Sequence, residues 1–117
     1  MKTLKLSAFI CLIVTILFTF NSCKNCKNEQ PRARIINNGT NKASVQIKSS
    51  NGNTVNINNV EAGTSSPYNS YPGGQVTFTI TVQSNNYVKT EILTECFDYD
   101  IAIDNNNVIT TVAIDRN

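Results

Sequence analysis

Histidine and tryptophan are missing from the 117 residues, methionine occurs once, and proline three times. Without histidine there is no Ser-His or Cys-His pair to activate a nucleophile, and the commonest zinc and copper ligand is gone. Glu91, Glu95 and Asp98 are acids within a few residues of one another, but a chain this short has little room for a substrate cleft around them. No enzymatic activity and no cofactor are expected. Charge is scarce too, at 15% of residues, and the net +2 comes from Lys2 and Lys5. From residue 23 onward eight basic side chains meet eight acidic ones. That neutral body has no basic stripe, which argues against nucleic acid as a partner. Helical periodicity is absent as well. Asparagine fills much of the space left by charge, with seventeen from residue 23 onward. Its amide competes for backbone hydrogen bonds in helices and suits turns, so a loop-rich β domain is expected.

The longest apolar run, Leu6–Phe20, has fifteen residues behind a short positive start at Met1–Lys5. That is short of the ~20 residues a membrane helix needs, and matches the apolar region of an export signal. Polar Asn21, small Ser22 and Cys23 follow. A small residue directly before a cysteine at this place resembles the lipobox of bacterial lipoproteins. Phe20 and Asn21 depart from the strict enterobacterial pattern, but Ser22 before the cysteine resembles the looser boxes of Bacteroidota-like lipoproteins. The resemblance implies a signal peptide over 1–22, cleaved to leave a diacylglycerol-modified Cys23 as first residue. Such an anchor is effectively permanent, each buried CH₂ adding roughly 0.8 kcal/mol. Lys24 lacks the Asp that marks inner-membrane retention, so the outer membrane is the expected location.

Cys23 and Cys26 form a C-x-x-C spacing. A redox pair belongs between a strand and a helix, and a zinc site needs further ligands; neither fits a position just after an export signal. Cys11 lies in the leader. Cys26 and Cys96 therefore remain as candidate disulfide partners in an oxidising compartment.

Residues 23–31 are polar and end at Pro31, as a tether does. From 32 to 117 the pattern becomes period-two. In "QVTFTITVQ", Val76, Phe78, Ile80 and Val82 alternate with threonines, the mark of a half-buried strand. Val55 and Ile57 face inward on an earlier strand, and Phe97, Tyr99, Ile101 and Ile103 share one face of a later one. Asn51-Gly52 signals a hairpin, and Ser84-Asn85-Asn86 a turn. About seven short strands with regular turns suggest an all-β, Ig-like antiparallel β-sandwich. Asn59-Val60, Gly63-Thr64, Ser66-Pro67-Tyr68 and Pro72-Gly73-Gly74, ahead of the Thr-rich strand, resemble an uncharacterised Ig-like domain family of secreted bacterial proteins. That resemblance spans most of 33–103 and implies a fold and a location, not a reaction.

Two groups of side chains invite a functional reading. Asp98, Asp100 and Asp104 offer oxygen ligands of the kind calcium takes, although not at EF-hand spacing, and a solvated outer face is the plainer reading. Tyr68 and Tyr71, among prolines, form a candidate partner-binding loop, since a rigid ring with a polar tip suits interfaces; capping of the core is the alternative. The expected function is that of a lipid-anchored, non-catalytic binding or structural module that meets the membrane through Cys23 and a protein or glycan through its domain. The second reading is a periplasmic immunity or inhibitor lipoprotein that blocks a toxin or hydrolase.

Overall fold

A computed structural model describes residues 26–117; the segment read as a signal peptide over 1–22 and the lipidation candidate Cys23 lie outside the described residues. Eight strands follow one another without a helix among the described residues. They are β1 (Arg32–Asn37), β2 (Ala43–Lys48), β3 (Thr54–Val60), β4 (Asn69–Ser70), β5 (Gly74–Val82), β6 (Asn85–Leu93), β7 (Phe97–Ile103) and β8 (Ile109–Asp115). They form two four-stranded sheets, ordered β4-β1-β7-β8 and β3-β2-β5-β6. The β-sandwich read from the sequence is the fold observed. Its first sheet is not purely antiparallel, because β1 and β7 run parallel. β4 escaped the strand count because two residues carry no alternation.

The core follows from period-two burial. Ala33 and Ile35 of β1, Tyr99, Ile101 and Ile103 of β7, Val45 and Ile47 of β2, and Val76, Phe78 and Ile80 of β5 are all buried between the sheets. The outward positions of β2 and β5 are Ser, Gln, Lys and Thr, so a one-residue slip would bury polar side chains and expose the core. Ile57 packs against that core, whereas Val55 is exposed. Val55 is in register with Ile47 beside the β2–β3 hairpin, on the edge strand of its sheet.

Turn chemistry fixes the connections. Gly52 sits at φ 86° in the Asn51-Gly52 hairpin. The β5–β6 turn is one residue earlier than the sequence suggested, because Val82 pairs with Asn85 and leaves only Gln83 and Ser84 between them. Both have positive φ, 50° and 66°, as a type I′ turn requires. Gln83 carries no sequence signal for that conformation, so the adjacent Ser-Asn-Asn drew the expectation away.

Asn37 is the polar exception in the core and satisfies everything it brings. Its amide donates to the carbonyls of Asn41 and Val60, and its Oδ1 accepts from the Gly39 N–H. Its backbone N–H donates to Thr64 O, and its carbonyl accepts from Gly63. One buried amide thereby ties β1, the β1–β2 loop and the chain leaving β3.

The segment read as a tether is bound to the domain from Cys26 onward. Cys26 is disulfide-bonded to Cys96. The Cys96 N–H donates to Glu29 O, the Tyr71 N–H donates to Pro31 O, and Pro31 is buried. Both sheets, the core and the disulfide all lie within 26–117.

Candidate functional site

The parallel, in-register pairing of β1 with β7 sets Arg32 beside Asp98 and Arg34 beside Asp100. Each guanidinium grips its carboxylate with two nitrogens, at 2.7 and 2.6 Å for the first pair and 2.8 and 3.1 Å for the second. Tyr68, on the chain between β3 and β4, lies across both. Its ring centroid is 5.3 Å from the Arg32 guanidinium and 4.8 Å from that of Arg34, and its hydroxyl donates to Asp100 Oδ1. Arg116 adds a contact of 3.2 Å from Nε to Asp98.

This arrangement corrects two expectations. The three aspartates do not converge on a calcium site. Asp98 and Asp100 are taken by arginines, and Asp104 accepts the Asn106 and Val108 N–H groups to shape its own turn. Among the described residues no group of three acidic, Cys or His side chains could hold a metal. The two tyrosines do not form one contact surface either. Tyr71 is 2% exposed in the core, and only Tyr68 is half-exposed, with its ring against the Arg32 and Arg34 guanidiniums. The period-two pattern breaks at Ser66-Pro67-Tyr68, so sequence alone gave no face to either ring. The expected disulfide between Cys26 and Cys96 is present.

The Asp100 carboxyl is held below the usual aspartate range, chiefly by the Arg34 hydrogen bond, which outweighs the opposing effect of burial, with the Tyr68 hydroxyl assisting. A lowered folded-state pKa stabilises the fold above the unfolded value of about 3.9, and that contribution is lost as pH falls through the folded value. Asp100→Asn should therefore melt earlier at neutral pH and lose stability less steeply below about pH 4. Melting temperatures from pH 7 to pH 2 check this; parallel curves for both proteins would contradict it. Tyr68 shifts the opposite way, raised first by burial and next by its bond to Asp100.

Strand directions sort the remaining loops to two ends. Cys26, the β2–β3 and β6–β7 connections and Arg116 share one end. The β1–β2 loop, the Gln83-Ser84 turn and the β7–β8 loop share the other. There they enclose an open polar cleft of about 100 Å³, lined by Asn37, Thr40, Asn41, Gln83, Asp104 and Asn107 among others. Only the sheet order gathers these three segments. The lining offers amides and hydroxyls with a single charge, chemistry suited to a neutral hydrogen-bonding ligand.

No family model matches the chain, and no curated protein does. Among solved structures it is similar to one titled as the NMR structure of a protein from Eubacterium rectale, at 18% identity and a TM-score of 0.48. The match covers 75% of this chain and 91% of that one.

Proposed function

We propose that the chain is an exported lipoprotein, anchored to the outer membrane through Cys23, whose sandwich is a non-catalytic binding module. The observation that carries this reading is the opposition of the two ends. Cys23 precedes Cys26 by three residues, at most about 10 Å of chain, so a lipid there pins the Cys26 end against the membrane. The polar cleft then points away from the surface. The Cys26–Cys96 disulfide supports export, because such bonds persist in oxidising compartments. The cleft's Asn, Thr and Gln side chains pair donors with acceptors, as the hydroxyls of envelope glycans require.

Thr40 is exposed at the cleft rim, so Thr40→Trp fills the cleft without entering the core. Isothermal titration of envelope glycan fragments should show binding to the native domain and at least a tenfold loss in Thr40→Trp, with unchanged melting temperature. Equal binding by both proteins, or none by either, would overturn the cleft as the binding site.

A further inference from the structure

β6 is an edge strand of nine residues with β5 on one side only. Edges of that length expose unpaired N–H and C=O groups, which natural sheets usually shorten, cover or guard with charge. Here the edge also exposes two large apolar side chains, Val88 at 61% and Ile92 at 67%. They lie on one face of β6, in register with Thr79 and Gln75 on the outer side of the sheet. Lys89 and Glu91 alternate with them on the opposite face.

The sequence around Thr90 is a chemical palindrome. Reading outward from Thr90, Lys89 is answered by Glu91, Val88 by Ile92, and Tyr87 by Leu93. An antiparallel partner strand of the same sequence, centred on Thr90, sets every residue opposite its complement. Lys89 meets the second copy's Glu91, Val88 meets Ile92, and the two-fold relation repeats each pair. Isologous contacts demand this self-complementarity.

Backbone geometry agrees with the same centre. A two-residue turn makes Val82 and Asn85 a hydrogen-bonded pair, so the odd-numbered residues of β6 direct N–H and C=O toward β5. Val88, Thr90 and Ile92 direct theirs to the free edge. Pairing centred on Thr90 brings those residues opposite one another.

From this we infer that β6 is a homodimerisation edge, joining two copies into one continuous eight-stranded sheet. The partner is a second copy of this chain because only its own β6 answers the whole palindrome, adding a Lys89–Glu91 pair across each side of the two-fold to the 3.6 Å pair already within each strand and setting Val88 against Ile92. The two copies point in opposite directions, so their Cys26 ends lie at opposite ends of the joint sheet. On membranes, such a pair either joins two facing surfaces or rests with its strands along one. The inference does not depend on the lipid at Cys23.

Sedimentation equilibrium of residues 26–117, which contain both sheets, the core and the disulfide, tests it. The native domain should dimerise reversibly. Lys89→Glu and Glu91→Lys should each weaken dimerisation about tenfold, by placing like charges opposite one another across the two-fold. The double exchange should restore it. Thr90→Pro removes an N–H aimed at the free edge and should also block dimerisation, with far-ultraviolet circular dichroism confirming a folded sandwich. A monomer at millimolar concentration would overturn the inference. So would stronger association in Lys89→Ala, which would make Lys89 a guard against edge pairing.

Discussion

Cys26→Ser should lower the stability of the domain by about 4 kcal/mol and its melting temperature by about 15–30 °C. The bridge spans a sequence separation of 70 residues, and loop-closure entropy in the unfolded chain sets the size of the effect. The folded-state contacts point the same way, since the bond is one part of a clamp. The Arg116 guanidinium donates to Glu29 Oε2 and Gln30 O, the Arg116 N–H donates to Cys96 O, and the Cys96 N–H donates to Glu29 O. Those contacts hold the entering and leaving chain at one end of the sandwich, and all but the Arg116–Cys96 backbone bond depend on residues 26–30 staying in place. Loss of the bridge should free that arm first, so amide exchange at Cys96 and Arg116 should accelerate more than at Ile80 or Ile101. A fall of under 5 °C would show that the clamp, not the covalent bond, holds the arm.

Tyr71→Ala should cost about 3–5 kcal/mol, the range for deleting a fully buried large aromatic side chain. Tyr71→Phe should cost nothing, or stabilise by up to about 1 kcal/mol. The reason is the hydroxyl: it is buried near Asn69 without a hydrogen bond, and burial raises its pKa. A buried hydroxyl without a partner carries an uncompensated desolvation penalty, which the Phe ring avoids while filling the same space. Chemical denaturation of the two variants separates volume from polarity. A Tyr71→Phe protein destabilised by more than about 1 kcal/mol would mean that the hydroxyl is bonded in solution.

The residues explain what the sequence disclosed. Strict alternation in β5 and in Phe97–Ile103 identified both strands and their buried faces, because the period of a pleated strand is written in every second residue. The pairing of Cys26 with Cys96 was accessible because, on the expectation of a cleaved leader and a lipidated Cys23, Cys11 and Cys23 would not compete for it. Long-range register was not accessible. Nothing near Arg32 or Asp98 announces that β1 and β7 are parallel neighbours, so Asp98 and Asp100 resembled metal ligands instead of partners for Arg32 and Arg34. Tyr68 and Tyr71 failed for a related reason: three residues apart in an irregular segment, they carry no period to say which is inside. Nothing in the sequence marked Asn37 as a core residue, yet it is 1% exposed and satisfies five backbone partners. The cleft needed topology as well, since its three segments, around residues 37–41, 82–83 and 103–107, lie about twenty to forty residues apart in the chain.

The proposed lipid on Cys23 would give the two ends of the sandwich their meaning, and one mass measurement addresses it. The full-length chain, produced in a bacterium with lipoprotein-processing enzymes and extracted from its envelope in detergent, should give an intact mass for residues 23–117 plus a diacylglyceryl group. Cys23→Ala should lose that modification. A native mass that retains residues 1–22, or one cut elsewhere without lipid, would contradict the account.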